Sequence, residues 1–295
     1  MGKASRRLKD ATTNGSTRRT KAVPFVRRPF EGLAAETEWV ALREILPAAT
    51  ATVTWADGAA PDGAPAEATL ATVLPLAWPG LHRGDGTVLV GMQSGSSSGD
   101  ASRDLAAQLL AAASAEPGTP VPQVPAPTGD SPRLQDVLVD EPFLASVHEG
   151  FDFWVGEQEL EGDAKDSLLR ANESVVPTTR MAALPSAFWV RIGERTHIRL
   201  VLGDDEDAAT DALARLHAAG DDALGGSTRL LGAFRACGLL VPVWDLDPEL
   251  EAAAYEDELM AWGTRYAVAL ASGASLTADE RRARSGLLSR QVTLR

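Results

Sequence analysis

His148, Glu149 and Asp152, with Asp136, Asp140 and Glu141 just upstream, are the densest mixture of imidazole and carboxylate in the chain. Such a mixture can act as a general base or hold a metal ion. If residues 147–155 form a strand, side-chain alternation puts His148 and Asp152 on one face and Glu149 on the other. Catalytic zinc takes three protein ligands, and one face supplies only two. No metal site is therefore expected, and the three residues remain candidates for acid–base chemistry alone.

Other routes to catalysis close on inspection. The histidines His82, His148, His197 and His217 are scattered, and no Gly-x-Ser-x-Gly elbow occurs. Cys237 is the only cysteine, which excludes an internal disulfide and a multi-cysteine zinc cage. It adjoins an apolar run and reads as a small buried side chain rather than a nucleophile. The Gly/Ser loop from Gly91 to Asp100 lies between a strand and a helix, where backbone amides can hold phosphate. It lacks the Gly-Lys-Ser/Thr ending of a P-loop, so it reads as a connection ending at an N-cap, Asp100. The run Asp204-Asp205-Glu206-Asp207 lacks the alternating ligands of a calcium loop, and acids are favoured at a helix start anyway. No cofactor is implied.

Charge is the stronger signal. Residues 1–28 carry Lys3, Arg6, Arg7, Lys9, Arg18, Arg19, Lys21, Arg27 and Arg28 against the single acid Asp10, a net of 9 − 1 = +8. The whole chain is −13, so residues 29–295 carry −13 − 8 = −21. These nine cations can neutralise phosphates and release counterions, which gives affinity without sequence specificity. No aromatic residue precedes Phe25, so the arm would grip backbone rather than stack on bases. The competing expectation is that the arm lies back on the acidic body.

The elements behind these residues follow from periodicity and breakers. Residues 1–22 hold almost no large apolar side chain and cannot offset their ordering entropy, so a disordered arm is expected. Val23-Pro24-Phe25-Val26 is the first apolar patch and could anchor it. Helices are expected at 36–46, 101–113, 163–172, 206–219, 228–237 and 250–271. Strands are expected at 49–55, 70–78, 87–92, 147–155 and 239–244, with a hairpin of 187–192 and 197–202 about Gly193-Glu194. Tyr255, Leu259, Trp262 and Tyr266 form a core stripe on the long C-terminal helix. Thr277 and Glu280 make a capping box for a last helix.

Six of the 18 prolines fall between Pro117 and Pro132, which suggests a semi-rigid linker. Leu74-Pro75-Leu76-Ala77-Trp78 matches Leu184-Pro185-Ser186-Ala187-Phe188, and the Ala-rich stretch at 104–112 matches that at 211–219. These parallels suggest an internal duplication. The expected fold is α+β, with two similar helix–strand–strand–strand–helix units. The expected divisions are the arm at 1–28, units at 29–116 and 134–247, a linker at 117–133, and a C-terminal helix with basic tail at 248–295.

Five stretches carry a resemblance: Val40–Glu44, Val73–Trp78, His148–Asp152, Leu239–Asp245 and Ser289–Arg295. Together they resemble an uncharacterised domain-of-unknown-function family of high-GC Gram-positive bacteria. Members are sometimes automatically named protein translocase subunit or topoisomerase. The chain has neither the ATP-binding loop of the first nor an evident tyrosine-centred cleavage motif of the second, and the resemblance implies no activity.

No apolar stretch approaches the ~20 residues of a spanning helix, and the basic start is not followed by an apolar signal region. A cytoplasmic protein is expected. The leading expectation is a non-enzymatic binding or regulatory protein. Its acidic body would hold a protein partner, and its arm would touch nucleic acid or ribosomes. The alternatives are an enzyme with a site between the halves, using His148, Glu149 or Asp152, and a self-assembling scaffold in which Arg281–Arg295 docks on an acidic neighbour.

Overall fold

The computed structural model describes residues 21–95 and 97–289, with the backbone alone for Leu288 and Ser289. The fold is α+β, built on two sheets. The first half runs α1 (Glu36–Glu44), β1 (Ala49–Thr54), β2 (Glu67–Ala71), β3 (Gly80–His82), β4 (Val88–Gly91), α2 (Ala101–Ser114), β5 (Thr119–Val121), α3 (Leu134–Val137) and β6 (Ser146–Val147). The first sheet has the order β5-β3-β4-β2-β1-β6. Alternation in β1 sends Ala49, Ala51 and Val53 to the core while the threonines between them are more exposed. β4 is buried throughout, as its Val-Leu-Val run implies. Val88 and Val90 pack with residues of α1 and α2. Leu89 faces the other way, toward Trp78, Phe153 and Trp154.

The proline-rich segment is not a spacer between the sheets. β5 pairs with β3 at one edge of the first sheet, and β6 pairs with β1 at the other. Residues 117–147 thus pass from edge to edge of one sheet, and 134–147 belong with the first half. Pro120 is tolerated in β5 because an edge strand leaves one row of N–H groups unused.

The second half runs α4 (Gly162–Glu173), β7 (Thr178–Arg180), β8 (Ala187–Ile192), β9 (Arg195–Leu200), α5 (Glu206–Ala219), β10 (Arg229–Ala236), β11 (Leu239–Asp245), α6 (Glu256–Leu270) and α7 (Ala278–Ser289). The second sheet has the order β10-β11-β9-β8-β7. The β8–β9 hairpin turns at Gly193, whose φ of 59° suits glycine. Trp189, Ile198, Leu200 and Trp244 pack with α5 and α6 on one face, while Phe188, Val190, Val201 and Val241 join the first core.

Three expected elements are different. The strand expected over 70–78 ends at Ala71, and Pro75–Ala77 is a 3-10 turn. Residues 229–236 form strand β10, not a helix; antiparallel pairing to β11 overrides local propensity, and Gly232 sits at a bulge. The strand expected over 147–155 stops at Val147, and Asp152–Trp154 is a 3-10 turn. Asn172 of α4 takes the Phe151 N–H at 2.7 Å and presses on Gly150, where an added Cβ would lie 2.7 Å from its Cγ. That clamp turns the chain.

The two halves are also not copies in topology. The first matched segment, 74–78, ends before the antiparallel β3–β4 hairpin, whereas the second, 184–188, runs into the first strand of the β8–β9 hairpin. In the first hairpin, the second strand, β4, lies parallel to β2; in the second, the first strand, β8, lies antiparallel to β7. The duplication suggested by the short matches is therefore not seen in the strand order. Apolar Ala/Leu helices resemble one another without common descent.

Candidate nucleic-acid interface

The described part of the arm lies on the body. Its backbone is pinned twice: Gly129 N–H donates to Lys21 O at 2.8 Å, and Val26 N–H donates to Gly99 O at 2.8 Å. Gly99 has φ 101°, and a Cβ there would come within 3.5 Å of Phe25 Cα. The apolar patch is thus an anchor through its backbone, while Phe25 itself is 80% exposed.

Arginines then fix the root. Arg28 forks onto Glu36, with Nε and Nη2 both at 2.7 Å from its carboxylate, and also donates to Gly203 O at 3.0 Å. The Glu36 hydrogen bond is the main reason that the Arg28 pKa rises. Arg27 pairs with Glu206, and Arg235 of β10 pairs with the same carboxylate. Glu206 is nearly buried, so this one acid faces two cations. Lys21 and Asp130, 3.8 Å apart and both exposed, contribute little. Arg27 and Arg28 therefore belong to the body's own ion pairs. Lys3, Arg6, Arg7, Lys9, Arg18 and Arg19 lie outside the described residues.

A cavity of about 310 Å³ opens beside this root. Phe25, Arg27, Ser97, Gly99, Arg235 and Cys237 are among its lining residues. The Gly/Ser loop thus meets the arm here. Asp100 caps α2 by accepting from Ser102 N–H at 3.1 Å, as expected.

The candidate acid–base residues sit elsewhere. His148 Nε2 lies 2.8 Å from Thr50 Oγ1, and its ring lies 5.2 Å from that of Phe153. Burial lowers its pKa, and Asp152 opposes that. Asp152 lines a separate cavity of about 560 Å³ with Lys165 and Asn172, and neither His148 nor Glu149 is among the lining residues. Glu149 is exposed. No group of three or more His, Cys, Asp or Glu residues suited to a metal ion occurs among the described residues.

Residues 29–295 match the model of a family of unknown function, DUF5926. The chain belongs to that family. The match begins at Pro29, immediately after the two arginines that hold the arm's root. No curated protein and no solved structure matches the chain. No helix among the described residues is long and apolar enough to cross a membrane.

The acidic run of this DUF5926 chain is used residue by residue. Asp204 accepts from Tyr266 OH at 2.9 Å, and Asp205 caps α5. Glu206 holds Arg27 and Arg235, and Asp207 takes Arg284 at 2.6 Å. Arg284 also reaches Asp211 at 2.6 Å, so this arginine of the basic tail is satisfied within the chain. Arg290 and Arg295 lie outside the described residues. Glu206 and Arg235 were not among the expected site residues. Their pairing joins positions 29 apart and gathers Arg27 from 179 away, which no local pattern signals.

Cys237 lies at the β10–β11 turn with φ 46°. Burial, and then the nearby Glu44 carboxylate, push its thiol up to about 12. The nucleophile is the thiolate, so the folded protein should resist iodoacetamide at pH 8, with alkylation appearing in urea. Rapid alkylation of the native protein, followed by mass spectrometry, would show that the thiol is not held in this way.

Proposed function

We propose that the protein is a cytoplasmic, non-enzymatic binding protein whose basic arm contacts nucleic acid from a root fixed on an acidic body. The observation that carries this reading is the root itself. Arg27 and Arg28 are committed to Glu206 and Glu36, so the upstream charge starts from a defined place beside the cavity. Residues 1–20 hold six cations and one acid, a net of 6 − 1 = +5. The enzyme alternative draws less support, because His148 and Glu149 do not line the cavity that holds Asp152.

The root also dictates the test. Removing residues 1–28 would strip two arginines from the body and confuse lost binding with lost stability. The informative comparison is the intact chain against residues 21–295, by fluorescence anisotropy with labelled RNA and DNA at low and physiological salt. Six phosphate contacts to a single strand predict a log–log salt slope shallower by about 4 in the shortened form. Equal affinity and equal slope for the two forms would remove the arm from any role in binding.

A further inference from the structure

We propose that the cavity at the arm's root seats one nucleotide of a single-stranded nucleic acid, with its base on Phe25 and its phosphate on Arg27 and Arg235. The proposal rests on the reading of the arm as a nucleic-acid contact, and it names a second, distinct element of that contact.

Three independent features meet at this place. First, the cavity of about 310 Å³ is at the lower end of the size that binds small organic ligands, and one nucleotide fits that class. Second, Phe25 stands at its wall with 80% of its surface exposed, although the backbone on either side is held to the body. An aromatic ring left in water on a fixed backbone is a stacking platform. Base–aromatic stacking is tolerant of sequence because every base has a π-face. Third, the local charge is unbalanced. Arg27 and Arg235 share the single carboxylate of Glu206, which leaves a net of 2 − 1 = +1 at the wall. Their side chains remain 64% and 40% exposed, so their free N–H groups can still reach an incoming oxygen. In a body of net −21, that local excess favours phosphate.

The geometry also selects a single strand. The ring must contact the face of a base, and in a duplex those faces are covered by the base pairs stacked above and below. The arm grips phosphates of either form. The cavity therefore adds a preference that the arm lacks.

Two variants separate the two elements. Phe25→Ala removes an exposed ring and leaves the fold's contacts intact. Arg235→Gln keeps a polar side chain beside Glu206 and removes one cation. Anisotropy with a labelled ten-nucleotide oligo(dT), and with a duplex of the same length, reads both. At physiological salt, Phe25→Ala should weaken oligo(dT) binding about tenfold, the effect of losing one stacked base. It should leave duplex binding and the salt slope unchanged. Arg235→Gln should weaken oligo(dT) binding and make its salt slope shallower by about one phosphate's worth. Circular dichroism of each variant checks that the fold is kept. If Phe25→Ala binds oligo(dT) as the parent does, or loses duplex binding equally, the cavity holds no base. In that case, a loss of binding on deleting residues 1–20 would still uphold the arm. If instead the deletion changes nothing while Phe25→Ala does, the arm reading fails and the cavity stands.

Discussion

Glu38→Ala is expected to lower the unfolding free energy by about 3–5 kcal/mol, read from a urea titration. Glu38 lies on α1 and is 2% exposed. Arg180 of β7 forks onto it, with Nη1 at 2.8 Å from Oε1 and Nη2 at 2.7 Å from Oε2. Ala145 N–H donates to Oε2 at 3.0 Å, and Ser186 Oγ donates to Oε1 at 2.7 Å. One carboxylate thus ties the first helix to both the segment before β6 and the second sheet. Truncating it leaves the Arg180 charge without its counterion in a partly buried place, where the loss is largest. Among the described residues, Arg180 would keep Ala145 O, at 2.8 Å, and the Phe188 ring, 4.9 Å from its guanidinium carbon. Replacing both partners with apolar residues, Glu38→Leu with Arg180→Met, should be much milder than either single truncation. A double variant as unstable as the sum of the singles would mean that the two residues act separately.

The same carboxylate sets an acid limit. Burial by itself raises the Glu38 pKa, but Arg180, the Ala145 N–H and Ser186 together outweigh it and hold the group below its ordinary 4.5. A depressed acid stabilises the fold at pH values above its unfolded pKa, and that contribution disappears as pH falls through the folded value. The intact protein should therefore lose stability faster than Glu38→Gln as pH drops below about 4.5. Parallel acid-unfolding curves for the two would show that Glu38 carries no such linkage.

Local signals were readable where one segment decides its own structure. The capping box is present as expected: Thr277 N–H donates to Glu280 at 2.6 Å and Glu280 N–H to Thr277 at 3.3 Å. The β8–β9 hairpin and helices α2, α4 and α5 fall where periodicity and breakers put them. Reading failed where a distant partner decides. Residues 229–236 look helical alone, and only β11 makes them a strand. β3 spans just three residues, too short for any alternation to register, and its neighbours in the sheet define it. The Glu38–Arg180 pair joins positions 142 apart, and the Gly/Ser loop and the arm become neighbours only through Val26 and Gly99. The charge split was visible at once, yet its partition was not. Two of the arm's nine cations turn out to hold the body together, because acids at 36 and 206 come to meet them.

The second large effect lies on the C-terminal stripe, which the spacing of Tyr255, Leu259, Trp262 and Tyr266 marked as core. All four are buried, and Trp262 is completely so. Its ring meets Trp244 of β11 edge-on at 4.9 Å and stacks on Tyr266 at 5.1 Å. Trp262→Ala should therefore cost about 3–5 kcal/mol, through lost burial and the cavity left between α6 and the second sheet. Trp262→Phe is expected to cost less than half as much. The indole N–H of Trp262 is buried and has no hydrogen-bond partner among the described residues. Phenylalanine keeps most of the ring contact and removes that unmet donor, which offsets part of the lost volume. Trp244 offers the contrast: its N–H donates to Asp222 O at 2.7 Å. Trp244→Phe loses that bond as well as volume, so it should be the more destabilising of the two phenylalanine variants. Urea titrations of the three variants test the order. Equal losses for Trp262→Phe and Trp262→Ala would mean that a phenyl ring keeps none of the contact that holds α6 to the sheet.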